Sequence, residues 1–346
     1  MTSRLRIDLA AVAANYRKFC ELGAPAAMAA VVKANAYGLG VEPVGRTLWA
    51  AGCRDYFVAS AEEGARLRAT LGAARILVFE GAMEETVGLL LEHDLEPVLN
   101  HPGQAAVWRR AGGRRPAAVH VDTGMHRLGF PVPLAADALR GLDVTLLVTH
   151  LACADEVDHP LTARQLDRVA ELRRLLPGVP FSVGNSAGVA GTPSLAGDLG
   201  RPGIGLYGGN PFVSGANPFA PVVTFEAQVL QRREVDAGDA IGYGASFVAA
   251  GALTVAVVGA GYADGVPRLL SNRGFVTVAG ARRPIVGRVS MDLTAVDVSG
   301  CMVAEGDWVE LFGTGVTVDE VAAWAQTIPY EVLTGLGQRP RRSYLT

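Results

Sequence analysis

The chain has 346 residues, of which 50% are hydrophobic and 19% charged, and its formal net charge is -3 at pH 7. This composition is typical of a globular protein with room for one large domain or two ordinary ones, and it excludes extended disorder. A slightly acidic chain without a block of Lys or Arg gives no reason to expect a nucleic-acid partner.

The cysteines Cys20, Cys53, Cys153 and Cys301 are scattered, with no metal-binding spacing among them. No apolar stretch is long enough to span a bilayer, and Asp8 interrupts the N-terminal segment where a signal peptide would be apolar. We therefore expect a soluble cytoplasmic protein with no metal site and no membrane partner.

The first two thirds of the chain alternate short apolar runs with segments of helical period. The predicted strands are AAMAAVVK, YFVAS, RILVFE, LEPVLN, AAVHVDT, VTLLVTH, FSVGNS and GDLGRPGIGLYG. The predicted helices between them include VEPVGRTLWAAG, AEEGARLRATL, ETVGLLLEH, PGQAAVWRRA and PLTARQLDRVAELRRLL. About eight strand–helix units predict an α/β fold, with a parallel (β/α)8 TIM-like barrel over residues 1–215. A doubly wound open sheet is the alternative, but no G-x-G-x-x-G follows the first strand to mark a dinucleotide site.

The pattern changes at about residue 215, where NPFVSGANPFAP is typical of a linker. Alternating runs follow it, namely VVTFEAQVLQRREV, LTVAVVGAGYADG, GFVTVAG, RRPIVGRVSMDLTAVDVS and DWVELFG. They predict a C-terminal, mostly β domain over residues 216–346. One short helix is expected after them, with Thr317 as its N-cap and Glu320 completing a capping box.

Lys33 stands at the end of the apolar run AAMAAVV, and Gly38 and Gly40 allow a tight turn after it. Burial at a strand end makes a lysine amine easier to deprotonate, so it can act as a base or form an imine. An isolated lysine at such a place more commonly caps the strand and reaches water through its long stem.

Polar residues also follow other predicted strands of the barrel. They are Asp122 and Arg127, His150, Asn185 and Ser186, and Arg201 and Gly203. Because a parallel barrel gathers the carboxyl ends of its strands at one face, this common placement favours a functional role for Lys33.

The stretch VVKANAYGLG closely resembles the cofactor-lysine motif of bacterial alanine racemases. The similarity continues, in the order of that family, through VDTGMHRLGF, VTHLACAD, GNSAG, RPGIGLYG, IGYGASF, GAGYADGVPR, VGRVSMD and IPYEVL. It covers almost the whole chain. The resemblance implies a pyridoxal 5'-phosphate enzyme and a homodimer, in which the C-terminal domain of one subunit completes the active site of its partner.

The resemblance also implies the reaction, a two-base racemisation of a small amino acid, most simply L-alanine and D-alanine for peptidoglycan precursors. Lys33 would carry the cofactor as a Schiff base and act as the base on one face of the substrate Cα, and Tyr243 of the other subunit would act on the opposite face. His150 and Arg201 would provide the electrostatic surround that lowers the pKa of the Tyr243 phenol. Arg201 would also face the pyridine nitrogen and, because an arginine stays protonated, disfavour side reactions.

The remaining site residues follow from the same resemblance. The cofactor phosphate would be held by Tyr37, Ser186, the amides of Gly203 and Ile204, and Tyr330. Arg127 would reach the ring oxygen and the substrate carboxylate, Met291 and Asp292 would lie at that carboxylate, and Tyr262 would narrow the entrance. An ordinary turn aspartate is the alternative for Asp292.

Three residues depart from the family pattern. His120 replaces a lysine whose carbamate helps to position the arginine in many members, so another group must orient Arg127. Leu39 replaces a histidine, and Ser182 replaces another, which removes an imidazole from the surroundings of Arg201. These differences bear on rate and substrate breadth rather than on reaction type.

Several other functions are compatible with parts of the sequence. A serine or broad-specificity racemase would use the same scaffold. A non-catalytic pyridoxal phosphate-binding barrel would usually lack the β domain with its matching tyrosine. A metal-assisted aldolase or dehydratase needs a C-terminal histidine, yet none follows His159, and a decarboxylase typically places an acid where Arg201 stands.

Overall fold

The computed structural model describes four ranges of the chain, which are residues 2–112, 114–135, 137–156 and 158–346. The chain divides into two compact units. We call Val12–Leu206 with Pro211–Pro218 the barrel unit, and Met1–Ala11, Tyr207–Asn210 and Phe219–Thr346 the β unit. Across the described ranges, every helix is too short or too polar to cross a membrane.

The secondary structure follows the predicted alternation. The strands are β1 (Ser3–Asp8), β2 (Ala27–Met28), β3 (Ala30–Val31), β4 (Asp55–Val58), β5 (Arg75–Val78), β6 (Glu96–Leu99), β7 (Pro116–His120), β8 (Asp143–Val148), β9 (Phe181–Ser182), β10 (Leu199–Gly200), β11 (Val223–Val235), β12 (Ala240–Ile241), β13 (Phe247–Val248), β14 (Leu253–Val258), β15 (Phe275–Val278), β16 (Ala281–Pro284), β17 (Thr294–Asp297), β18 (Trp308–Phe312) and β19 (Arg341–Leu345). The helical elements are α1 (Leu9–Leu22), α2 (Lys33–Tyr37), α3 (Val41–Ala50), α4 (Ala61–Thr70), α5 (Val87–Glu92), α6 (Pro102–Gly112), α7 (Pro160–Leu175), α8 (Ser186–Gly191), α9 (Val318–Trp324) and α10 (Pro329–Thr334).

The strands of the barrel unit are parallel and close on themselves. Seven of them form one sheet in the order β3-β4-β5-β6-β7-β8-β9, and β10 pairs in parallel with β2, which leads directly into β3. The circuit closes between β9 and β10, where the Asp198 amide donates to the Phe181 carbonyl over 2.7 Å and the Arg201 amide to the Gly184 carbonyl over 2.8 Å. With β2 and β3 counted as one interrupted strand, the predicted eight-stranded TIM-like barrel is confirmed, and the doubly wound sheet is excluded.

The two ends of the barrel strands differ in chemistry. At the amino ends, the Arg75 guanidinium makes a bidentate ion pair with Glu96, with 2.7 Å for each hydrogen bond, and lies 3.4 Å from Asp55. The strand interiors are apolar and buried, as expected for parallel strands covered on both faces. Lys33, His120, Arg127, His150 and Arg201 lie instead at or after the carboxyl ends of their strands.

The β unit is built on one mixed sheet. Its path runs β16-β15-β18-β11-β1-β19, with β14 joined to β11 and β17. Strand β11 alternates buried and half-buried residues over its first half, which is the period-2 pattern that predicted it. The mostly β composition predicted for the C-terminal region is confirmed, and so is the capping box of Thr317 and Glu320 at the start of α9.

The N-terminal strand β1 belongs to the β unit. It pairs antiparallel with β11 and parallel with β19, and it buries Leu5 and Ile7 there. This grouping by contacts therefore differs from the predicted domain ranges 1–215 and 216–346, which stay a prediction.

Candidate active site

Five ionisable residues meet at the carboxyl ends of the barrel strands. Lys33 follows β3, His120 ends β7 and Arg127 lies in the loop after it, while His150 follows β8 and Arg201 follows β10. They interact electrostatically, since the other four all lower the pKa of His150. The fold thus brings together the charged residues that the sequence placed at separate strand ends.

Lys33 has the environment expected of a reactive amine. Lys33 is an exposed residue at the barrel mouth, and partial burial of its amine is the main cause that lowers its pKa. The charge of Arg127 lowers the pKa further, and the carboxylate of Glu63 opposes the change. A lysine with a lowered pKa is neutral, and so nucleophilic and basic, in a larger fraction of molecules at neutral pH.

The turn that follows Lys33 is left-handed. Ala34, Asn35, Ala36 and Tyr37 have φ angles of 52, 55, 54 and 54°, and Gly38 follows at 85°. Each non-glycine residue in this region costs about 1–2 kcal/mol, so the surroundings must hold the turn in place. The glycines of the sequence predicted a tight turn, but they gave no sign that it would begin in left-handed form at Ala34.

Tyr37, Ser186 and Gly203 form a compact group of polar atoms. The Ser186 Oγ accepts hydrogen bonds from the amides of Gly203 at 2.8 Å and Gly205 at 3.3 Å, which leaves its own O–H to donate. A Cβ added to Gly203 would lie 2.4 Å from the Tyr37 hydroxyl, so only glycine permits this close approach. Hydroxyls and peptide amides of this kind are the usual phosphate donors of barrel loops.

Ile204 and Tyr330 complete the predicted phosphate-binding set. Ile204 belongs to the barrel unit, is buried and begins the 3-10 turn Ile204–Tyr207, whereas Tyr330 lies in α10 of the β unit. Their phosphate contacts stay predictions.

Arg201 is a buried cation, with 2% of its surface exposed. Its guanidinium donates to the Ser182 Oγ over 2.5 Å and to the Thr149 carbonyl over 2.6 Å, and one terminal nitrogen lies 3.5 Å from the His150 Nδ1. Within the described ranges no carboxylate lies at ion-pair distance from it. Burial lowers its pKa to about 9, so Arg201 remains protonated at neutral pH.

Ser182 takes over part of the role of the histidine that the resemblance led us to expect. Its hydroxyl accepts the hydrogen bond from Arg201 and donates its own to the Leu199 carbonyl. On this side Arg201 is therefore held by a neutral hydroxyl instead of a second imidazole, while His150 lies on another side of it.

A stacked aromatic pair lies beside Lys33 and Arg201. The rings of Phe57 and Phe79 have centroids 4.9 Å apart, and they are inclined by 21°. The Lys33 Nζ lies 5.8 Å from the Phe79 centroid, and the Arg201 guanidinium carbon lies 5.9 Å from the Phe57 centroid. Both cations thus contact one aromatic surface. The pair was not predicted from the sequence, because both residues lie in or next to ordinary apolar strands.

Both histidines of the cluster are neutral at neutral pH. Burial, followed by the charges of Arg201 and Arg127, lowers the pKa of His150 to about 3 and that of His120 to about 4. Arg201 therefore carries the positive charge beside His150, whereas the resemblance implied a cationic contribution from both residues.

His120 is fixed by an amide. Its Nδ1 lies 2.9 Å from the Asn100 Oδ1, while the Asn100 amide nitrogen donates to the carbonyls of Val98 at 2.9 Å and Phe79 at 3.0 Å. Because the amide nitrogen already faces two carbonyls, its oxygen faces the imidazole, and the Nδ1 carries the hydrogen. The His120 Nε2 is left as a neutral acceptor at the position where many family members have a lysine.

The loop that carries Arg127 is folded by Asp122. One carboxylate oxygen accepts from the amides of Gly124 and Met125 at 2.9 Å each and of His126 at 3.1 Å. This turn presents Arg127 as an exposed side chain at the mouth of the barrel.

Gln165 connects that loop to the segment of His150. It is fully buried in α7, and its amide nitrogen donates to the Thr123 Oγ1 at 3.1 Å and to the His150 carbonyl at 2.9 Å. Its amide oxygen accepts from the Ala152 amide at 2.9 Å. Gln165 was not predicted from the sequence, although a glutamine on the apolar side of a predicted helix was an available signal.

Tyr243, Tyr262 and Met291 lie on exposed loops of the β unit, with 72, 44 and 52% of their surfaces exposed. The Tyr262 amide donates to the Ser290 carbonyl at 3.0 Å, which joins the loops of Tyr262 and Met291. Asp292 forms an ion pair with Arg339 at 2.7 Å, which explains this aspartate without a ligand. A substrate contact of Asp292 stays a prediction.

Comparisons with known proteins agree along the whole chain. The family models "Alanine racemase, N-terminal domain" and "Alanine racemase, C-terminal domain" match residues 7–211 and 222–344. The alanine racemase of Rhodospirillum rubrum is 45% identical over 359 residues, which cover 99% of this chain and 96% of that protein. The biosynthetic alanine racemase of Agrobacterium fabrum is 42% identical, with 99% of this chain and 93% of that protein covered.

Solved structures give the same result. The crystal structure of alanine racemase from Bartonella henselae with covalently bound pyridoxal phosphate superposes with a TM-score of 0.93 at 36% identity, and each chain is covered to 100%. The biosynthetic alanine racemase of Pseudomonas aeruginosa gives a TM-score of 0.92 at 36% identity, with 100% of this chain and 99% of that chain covered. With both domain models matched in order and relatives above 40% identity over nearly the full length, the chain belongs to the alanine racemase family.

Proposed function

We propose that this chain is an isomerase that interconverts L-alanine and D-alanine with pyridoxal 5'-phosphate. The proposal rests on two residues at the mouth of the barrel. Lys33 has an amine with a lowered pKa, and buried Arg201 has no acidic partner in the described ranges. Membership of the alanine racemase family supports the substrate.

The residues present fit the cofactor. Lys33 supplies the amine for its aldehyde, the hydroxyls of Tyr37 and Ser186 and the Gly203 amide suit its phosphate, and buried Arg201 suits its ring nitrogen. Ile204 and Tyr330 are the further phosphate contacts that we infer. When bound, pyridoxal phosphate holds an amino acid by its nitrogen and withdraws electrons from Cα, which makes the Cα proton removable.

Two bases then exchange the proton on opposite faces of Cα. The Lys33 amine serves one face, and the Tyr243 hydroxyl of a second subunit serves the other, since two fixed bases need less movement than one. Arg201 remains protonated and donates only hydrogen bonds, so it cannot transfer a proton to the ring nitrogen readily. This restraint favours return of the proton to Cα over side reactions.

The substrate carboxylate is assigned to Arg127 and to the Met291 amide, with Asp292 beside it. Tyr262 narrows the entrance, so that a small side chain is preferred. Alanine is the substrate that this arrangement favours, and serine is the competitor, since a small pocket discriminates only weakly against one added hydroxyl.

The assembly that we infer is a homodimer with shared active sites. The exposure of Tyr243, Tyr262 and Met291 on the β unit supports it, because these side chains are then available to a second copy. We also infer a cytoplasmic role in supplying D-alanine for peptidoglycan precursors, which stays a prediction.

The test is racemase activity on L-alanine, D-alanine and L-serine in the wild type, Lys33→Ala and Tyr243→Phe. Lys33→Ala should lose both the absorbance of the covalently bound cofactor and the activity in both directions. Tyr243→Phe should keep that absorbance and lower kcat by roughly 100- to 1,000-fold, the usual contribution of a general base. Full activity of Tyr243→Phe would contradict the two-base scheme, and a yellow wild-type protein that leaves alanine unchanged would indicate a binding protein instead.

A further inference from the structure

Glu63 binds the first peptide of the left-handed turn. Its Oε1 accepts a hydrogen bond of 2.6 Å from the Ala34 amide, directly after Lys33. Its Oε2 accepts one of 2.8 Å from the Ala59 amide, directly after strand β4. One carboxylate thus joins the ends of two neighbouring barrel strands.

This use of the carboxylate differs from what the local sequence favours. Ser60 and Glu63 have the spacing of a capping box at the start of α4, and the Ser60 Oγ accepts from the Glu63 amide at 3.4 Å. The equivalent pair at α9 is reciprocal, since Glu320 accepts from the Thr317 amide at 3.0 Å. At α4, within the described residues, the Glu63 carboxylate instead accepts hydrogen bonds from the amides of Ala34 and Ala59.

Other hydrogen bonds hold the later part of the turn. The Ala36 amide donates to the Val32 carbonyl at 2.8 Å, the Gly38 amide to the Ala34 carbonyl at 2.8 Å, and the Val41 amide to the Asn35 Oδ1 at 2.9 Å. Glu63 therefore binds the peptide next to Lys33 in a conformation that L-residues disfavour.

Glu63 also balances the charges around Lys33. The charge of Arg127 lowers the pKa of the Lys33 amine and that of Glu63 raises it, while Lys33 in turn lowers the pKa of His150. The carboxylate therefore acts on both the position and the charge of the same lysine.

We propose that Glu63 is a positioning residue for Lys33, which holds the left-handed turn so that the amine points into the barrel mouth, ready for the cofactor. The proposal rests on the proposed function only in taking Lys33 as the attachment site.

The test compares Glu63→Gln with two matched controls on the same helix. The glutamine has the same shape, but its amide group cannot accept from both backbone amides at once. Ser60→Ala removes the N-cap of α4, including its bond to the Glu63 amide, and leaves both bonds of the Glu63 carboxylate intact. Glu62→Gln removes a neighbouring exposed charge.

Two readouts use protein freed of cofactor. The first is the rate at which added pyridoxal phosphate becomes attached to Lys33, measured by absorbance and by mass after borohydride reduction. In the attachment, the lysine nitrogen forms a double bond to the aldehyde carbon and the aldehyde oxygen leaves as water. The second is the pH dependence of Lys33 acetylation by acetic anhydride, for which Lys18, the only other lysine of the chain, is the internal reference.

We expect Glu63→Gln to slow attachment by at least about 10-fold, as the loss of a charged hydrogen bond implies. The titration of Lys33 should move to lower pH by about half a unit or more, because a nearby negative charge is removed. Both controls should match the wild type in both readouts, and Lys18 should titrate alike in every protein.

A wild-type rate of attachment in Glu63→Gln would overturn the proposal, whatever the titration. Should that variant fail to fold, Glu63→Asp decides, since it keeps the charge but is too short to reach both amides. Slowed attachment supports the proposal, and a wild-type rate overturns it. A wild-type protein that attaches no cofactor would instead contradict the proposed function.

Discussion

At the scale of single residues, the barrel mouth separates permanent charge from neutral imidazoles. Arg201 stays protonated although it is buried, while burial and the neighbouring arginines hold His150 and His120 neutral. A neutral imidazole can accept a hydrogen bond, which an imidazolium cannot. This division suits His150 to orient the arginine beside it and His120 to offer its Nε2 to a donor.

The histidines predict a dependence of stability on pH. Their folded pKa values of about 3 and about 4 lie below the ordinary 6.5, so the unfolded chain binds protons in this window that the native state does not bind. The free energy of unfolding should therefore be highest above pH 6.5 and fall as the pH decreases, by up to about 1.4 kcal/mol per histidine and pH unit.

Urea unfolding at pH 7 and pH 5 checks this prediction. His150→Gln should lose less stability than the wild type between these pH values, by up to about 2 kcal/mol. His101→Gln, which alters an exposed histidine, is the control and should follow the wild type. An equal loss in His150→Gln and the wild type would contradict a neutral, half-buried His150.

At the scale of elements, parallel strands bring the site residues to one end of the barrel. The loops that follow these strands must be held in place by further hydrogen bonds. Helix α7 does this through Gln165, which holds Thr123 on the Arg127 loop and the carbonyl of His150. The Thr123 hydroxyl also lies 2.8 Å from that of Thr149, whose carbonyl accepts from Arg201. One buried network thus links three of the site segments.

Thr123 offers an isosteric test of this network. Thr123→Val removes the hydroxyl, so Gln165 and Thr149 each lose one buried hydrogen-bond partner. It should raise the KM for alanine by roughly 3- to 10-fold through misplacement of Arg127. The kcat should change less, because Lys33 is untouched. Thr123→Ser keeps the hydroxyl and should restore the wild-type KM; steady-state kinetics on both variants decide.

Many of the secondary-structure elements and several site residues could be predicted from the sequence. The period of the apolar residues gave the barrel strands and their helices, and the polar residues after the strands gave Lys33, His150 and Arg201 as neighbours. Glu63 was not found, since its Ser-x-x-Glu spacing indicates a local cap, and only the packed structure shows it turning to Ala34. The left-handed form of the Lys33 turn was not predictable either, because alanines do not favour it.

At the scale of the whole molecule, the predicted site requires two copies of the chain. Lys33 and Tyr243 belong to different compact units, and we infer that Tyr243 acts in the barrel of a partner. A symmetric dimer would then contain two sites, each built from both subunits.

Mixing two inactive variants tests shared sites. Lys33→Ala and Tyr243→Phe should each be nearly inactive alone. Dissociated together and reassociated, random pairing makes half of the dimers mixed with one intact site each, which should restore about a quarter of the wild-type activity. Activity that stays at the level of the separate variants, although mixed dimers are detected by mass, would contradict shared sites.

The sequence by itself determined the barrel, the β region after it and the family, because the apolar period and the ordered motifs are properties of the chain alone. The tertiary structure decided the closure of the barrel through β10 and β2, the place of β1 in the second unit, and the neutrality of His150. It also decided the use of Glu63 and Gln165. These features depend on burial and on contacts between residues far apart in the chain, and such contacts exist only once the chain has folded.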